Sequence, residues 1–231
     1  MKPKPAAQQL ILKSLKEKAV VKKDIYNKTV AVFADLKSIL QELEKELQEK
    51  INKIDGEIVV EYKDRGKFEA ELKVADDALI FWMHSDIFSF DHEHAMWKTS
   101  YIQEDNSRTH CGMICIYNFL TDSFKYNRVN DVGYLIARLF LNKDMHYFVE
   151  GKRQLGFLYN DFDRTVLNRK ELKAVIESAV LYSLEFDLFT PAYEDMKQLS
   201  VSEIIEAANN IKITTGKRLG FRFQADDDRV D

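Results

Sequence analysis

Between Met1 and Ile54 the chain contains no glycine, and one apolar position repeats every seven residues: Leu12, Ala19, Tyr26, Phe33, Leu40, Leu47 and Ile54. The position three residues further on (Leu15, Lys22, Thr29, Leu36, Leu43, Lys50) is apolar in only half of its members. A heptad stripe of that length demands a long helix, and a long helix ahead of a compact body either mediates association or braces the body. Up to about Leu40 the stripe is broad, because Ile11, Ile25, Val32 and Ile39 flank it. From Leu40 it narrows to Leu40, Leu43, Leu47, Ile51 and Ile54, set among Glu and Lys. With Phe33 and Leu36 these residues form the expected seam of a homodimer, a closed twofold being the commonest outcome for such a helix. Packing of the same stripe within the chain is the alternative. Residues 1–55 therefore read as a helical arm, with helices over 6–21 and 24–54 and either a bend or a continuous rod at Lys22-Lys23-Asp24. Asp55-Gly56 is expected to end it, with the glycine as a left-handed cap.

Beyond Gly56 the apolar period falls to two. Ile58, Val60 and Tyr62 face one way, and after the turn Lys63–Lys67 the residues Phe68, Ala70, Leu72 and Val74 alternate with Glu69, Glu71 and Lys73, which is the signature of an antiparallel hairpin with one solvated face. Aromatic and β-branched content predicts further strands at 78–84, 94–103, 110–120, 145–150 and 154–160. Helices are predicted over Val132–Leu141, capped by Asn130-Asp131, and from Asn168 to about Phe186, where Asn168-Arg-Lys-Glu171 has capping-box form. Another is predicted from Ser200 to near Asn210, followed by a strand pair over Ile211–Phe223. Neighbouring strands followed by helices give an α+β fold: the arm, then a single domain (56–231) with a mainly antiparallel sheet of about six to eight strands and covering helices.

Composition narrows the setting. At 231 residues and 45% hydrophobic content the chain can bury a proper core, and 8 Gly with 3 Pro argue against disorder. No run of about 18 apolar residues occurs, and the first residues lack the h-region of a secretory signal. A cytoplasmic protein is expected. Cys111 and Cys115 lie four apart on a predicted strand, so their Cα atoms would be about 13 Å apart, beyond the ~7 Å that a disulfide tolerates. Charge is uneven. Residues 1–28 hold eight lysines against Glu17 and Asp24, a balance of +6; the whole chain is −4, so the remainder carries −10. A basic arm of this kind can touch nucleic acid or an anionic membrane, although snorkelling lysines on a solvated helix face explain it as well.

The one dense set of coordinating side chains is His84, Asp91, His92 and His94, with His110, Cys111 and Cys115 downstream. His92 and His94 would share a strand face, as would the two cysteines, and imidazole plus thiolate would suit zinc or another divalent metal. Against this, no Cys-x-x-Cys or His-Glu-x-x-His spacing occurs; a polar turn and two core cysteines account for the same residues. Asp161-Phe-Asp163 has the form of a pair that holds a divalent ion beside a phosphate, and equally of carboxylates placed before a helix. Phosphate-loop, dinucleotide and Gly-x-Ser-x-Gly motifs are absent. Lys217–Phe223 fails the RNA-stacking pattern. Aromatic residues concentrate on the predicted strands, and Trp82, Phe88, Trp97, Tyr101 and Tyr117 are the expected lining of any apolar pocket.

Together these features favour a non-enzymatic binding or scaffolding module, homodimeric through its arm or engaging another protein, with a small-molecule pocket over the aromatic sheet. A metal-dependent hydrolase of a phosphate-containing substrate and a basic arm for an anionic polymer or membrane are the alternatives. No cofactor is called for by the sequence.

Overall fold

The computed structural model describes residues 7–152, 154–185 and 201. The helix predicted from Ser200, the strand pair at 211–223 and the acidic end at 226–231 lie outside the described residues, apart from Val201. The chain is α+β. A helix runs from Ala7 to Ile51 as α1 (Ala7–Ser14), a π turn (Leu15–Ala19) and α2 (Val20–Ile51). It is unbroken at Lys22-Lys23-Asp24. A π turn accommodates one extra residue, so the stripe upstream of it is offset by roughly 100° from the face that α2 presents downstream. The seven-residue repeat is continuous in sequence but is split in space at Leu15–Ala19.

The strands are β1 (Val60–Asp64), β2 (Glu69–Val74), β3 (Asp77–Met83), β4 (Phe88–Ser89), β5 (His110–Leu120), β6 (Tyr134–Asn142) and β7 (Tyr147–Gly151). They form one antiparallel sheet in the order β1-β2-β3-β5-β6-β7, with β4 pairing β5 beyond the end of β3. Three short helices, α3 (Ser100–Glu104), α4 (Thr121–Lys125) and α5 (Gln154–Leu158), lie between strands or beside β7, and α6 (Arg169–Leu184) follows. The predicted hairpin is present, turning at Gly66, whose φ of 121° is a conformation that side chains resist. Asn168 caps α6 as predicted, its side chain accepting the Glu171 N–H at 3.0 Å.

One face of the sheet carries the main core. Val32, Phe33, Leu36, Ile39, Leu40 and Leu43 of α2 pack with Leu72, Leu79, Phe81, Ile114, Ile116, Leu139 and Val149 of the sheet and Leu172, Val175, Ile176 and Ala179 of α6. The two helices are tied at their surface by Arg169–Glu42 and Lys173–Glu46 pairs. Thr29 of α2 is fully buried and set directly over Gly112 of β5. The other face is covered at one end by the segment 90–109, which closes a second core of Met96, Ile102, Cys111, Phe140, Phe148 and Phe162.

Four sequence expectations are overturned. Residues 94–103 are not a strand: a 3₁₀ turn (Ala95–Lys98) leads into α3, because the His94 Nδ1 accepts the Met96 N–H and Thr99 Oγ1 accepts the Ile102 N–H. These local caps outweigh the β preference of Trp97 and Tyr101. Val132–Leu141 is not a helix but the strand β6. Its apolar run is continuous because Leu139 and Leu141 face the α2/α6 layer while Phe140 faces the second core, and a strand buried on both sides loses the alternation that identifies it. Residues 154–158 form a turn of helix, with Gly156 so close to the Gly151 carbonyl that a Cβ would sit 2.5 Å from its oxygen. Gly56 has no positive φ; α2 ends at Ile51, and Asp55 closes the turn by donating its N–H to the Ile51 carbonyl and accepting that of Glu57.

Candidate functional site

The arm divides at Ile25. From there to Leu43 the stripe is spent inside the chain: Phe33, Leu36, Leu40 and Leu43 of the expected dimer seam are 0–4% exposed in the main core, and Leu47 and Ile51 pack partly against it. Intramolecular packing accounts for these residues, while Ile54 at the far end is 81% exposed. Residues 7–20 receive no such cover from the other described residues. They project about 20 Å of helix, at 1.5 Å per residue, in which Leu10, Ile11, Leu12, Leu15 and Val20 are 53–66% exposed. Ile11, Leu15 and Ala19 follow at four-residue intervals, and Leu12 and Val20 adjoin them, so these five side chains occupy neighbouring positions on one side of the helix. Lys13, Lys16, Lys18, Lys22 and Lys23 surround them, against Glu17 alone. Their charge is felt nearby. Burial first, then Lys22 and Lys18, lowers the pKa of His110 at the start of β5.

The expected aromatic pocket is divided between two places. Trp82, 39% exposed, continues into a ladder with His84 (5.3 Å between ring centres) and Phe88 (4.7 Å from His84) on the sheet face beyond the 90–109 segment. Tyr117 lies half-buried on β5, one step along the same face from Cys115, the partner of Trp82. Trp97 and Tyr101 instead belong to the second core, Trp97 lying tilted against His92 at 4.4 Å and donating its indole N–H to the Phe90 carbonyl.

Tyr101 anchors a polar latch that sequence inspection missed. Asn142 donates to its hydroxyl at 2.9 Å, and the hydroxyl donates to Asp144 at 3.1 Å. Arg108 lies over the ring at 4.2 Å and bonds Asp144, Glu104 and the Tyr101 carbonyl, while His146 stacks on the ring at 4.5 Å and 9°. Burial, with Asp144, pushes the Tyr101 pKa up to about 12. Beside it, Lys143 pairs with Asp105. Despite burial, the bonds from Lys143 and Ser107 hold that carboxylate at about 2. This network clamps the 90–109 segment onto the β6–β7 turn. The signal available in sequence was the turn-forming Asn142-Lys-Asp144, with Met145 in the left-handed region at φ 64°.

The proposed metal ligands are dispersed. Among the described residues no three of His, Cys, Asp or Glu converge. His84 and His94 each turn Nδ1 to a backbone N–H two residues on, His92 lies against Trp97, Asp161 is exposed, and Asp163 is half-buried in the same turn. Cys111 and Cys115 are buried free thiols whose pKa values burial raises. No described helix is long and apolar enough to cross a membrane. Comparison with protein-family models, with curated proteins and with solved structures finds no match to this chain.

Proposed function

We propose that this chain is a non-enzymatic association module: a sheet body that braces a helix and holds out its first 14 described residues as the interaction surface. The observation that carries this is the change in cover along one helix. Its stripe is 0–5% exposed at Ile25, Val32, Phe33, Leu36, Ile39 and Leu40, and more than half exposed at Ile11, Leu12, Leu15 and Val20. Contiguous exposed apolar side chains rimmed by charge are the ordinary mark of an interaction site. The chemistry of the thiols supports the non-enzymatic part of the reading, since burial keeps both in the protonated, poorly nucleophilic form.

The test is position-specific cross-linking in the cells that make the protein. A photoreactive residue replaces Leu12 or Leu15, with Lys45 on the solvent side of α2 as control. Adducts formed at Leu12 and Leu15 well above the control support the module. An adduct of twice the chain mass identifies a second copy, and another mass identifies a different partner. Equal labelling at all three positions refutes the reading.

A further inference from the structure

Resting on that association reading, we propose that the projecting helix Ala7–Val20 docks an acidic amphipathic helix of a partner protein. The stripe of Ile11, Leu12, Leu15, Ala19 and Val20 suits a second helix, about 10 Å across with side chains. Its surroundings select the sign of that helix. Five lysines against Glu17 between Ala7 and Lys23 would repel a second copy of the same stretch laid against it. They would pair with Glu or Asp flanking an apolar seam, as charged positions do beside a coiled-coil core. Two observations separate this occupant from an extended polyanion. Residues 29–185 hold 20 Lys and Arg against 27 Asp and Glu, a balance of −7, so a bilayer or nucleic acid broad enough to meet the body would meet net negative charge. A single helix lying along residues 7–20 touches the basic arm alone. The arm also contains no aromatic residue before Tyr26, and so lacks the Trp or Phe with which interfacial helices commonly hold a bilayer. The π turn contributes as well, because it takes this stripe out of line with the face that α2 buries in its own body.

The experiment uses the full chain and a synthetic amphipathic helix with Leu at its seam and Glu at its flanks. Controls are a twin peptide with every Glu replaced by Gln, phosphatidylserine vesicles and a single-stranded RNA. Binding is read by fluorescence anisotropy or co-sedimentation. The expected result is that the Glu peptide binds at least about tenfold tighter than its Gln twin at low salt, with the gap narrowing as salt rises. The variant Leu12→Glu/Leu15→Glu loses that binding while keeping its melting midpoint. Equal affinity for the two peptides, no binding of the Glu peptide, or tighter binding to vesicles or RNA overturns the proposal. Cross-links at Leu12 without preference for the Glu peptide leave the association module standing and remove only the acidic partner. Absence of both removes the two together.

Discussion

Replacing Gly112 by alanine tests the packing of the long helix on the sheet directly. A Cβ at this position would lie 2.0 Å from Thr29 Oγ1 and 2.9 Å from both Thr29 Cβ and Cγ2. Thr29 cannot step aside: it is fully buried, β-branched, and its hydroxyl donates to the Ile25 carbonyl at 2.8 Å. The helix itself would have to lift, loosening the contacts that Ile25, Val32 and Phe33 make below it. Overpacking of this kind costs about 1–3 kcal/mol; the small backbone gain of alanine over glycine in a strand, about 0.5–1 kcal/mol, offsets part of it. A net loss of about 1 kcal/mol follows, which for a chain of this size lowers the melting midpoint by roughly 2–4 °C. The assay is urea unfolding followed by circular dichroism, on Gly112→Ala, Thr29→Ala and the double variant. Thr29→Ala removes Oγ1 and Cγ2 and leaves only the 2.9 Å contact, so the double variant should be more stable than the sum of the singles by about 1 kcal/mol or more. A Gly112→Ala change within about 0.5 kcal/mol of the wild type, or strictly additive costs, would refute the close contact.

Three further outcomes follow from the same geometry. His110 has a folded pKa below its ordinary value of about 6.5, so the unfolded chain binds its proton first. Its contribution to stability is therefore complete above about pH 6.5 and is lost as pH falls from there through the folded pKa; His110→Gln should flatten the fall in melting midpoint between pH 7.5 and 5.5. The thiols of Cys111 and Cys115 should resist a thiol-specific chromogenic reagent in the native protein and react together in urea, and rapid native labelling of Cys111 would contradict its burial. Leu40→Ala should cost about 2–5 kcal/mol, whereas Leu12→Ala should move the midpoint by less than about 0.5 kcal/mol's equivalent; similar losses for both would mean that the two ends of the stripe have the same cover.

The polar latch adds a feature of the body that bears on how the second core is held. Tyr101, Asn142, Asp144, Arg108 and His146 bring residues some forty positions apart into one hydrogen-bonded and stacked group. It pins a segment with little regular strand structure over Phe140 and Phe148, which would otherwise open the sheet face to water. The candidate interaction surface lies on the projecting helix, whereas this network belongs to the body.

Where local chemistry and burial agreed, the sequence was enough. The long helix was legible because seven apolar residues recur at seven-residue spacing without glycine. The β1–β2 hairpin was legible because one of its faces is solvated and alternates. The start of α6 was legible because Asn168 carries its own cap. The basic character of residues 1–28 could also be named from composition alone. Tertiary structure decided the rest. Only packing against both layers made β6 a strand, since a run buried on both faces carries no period to read. Only the sheet beneath α2 determined that Phe33 to Leu43 serve the chain's own core, because a heptad stripe looks the same whichever apolar surface it meets. The end of the described body near Ile25 leaves the large apolar side chains from Val20 back to Leu10 more than half exposed, a boundary that depends on where the strands stop and that no residue in the helix announces.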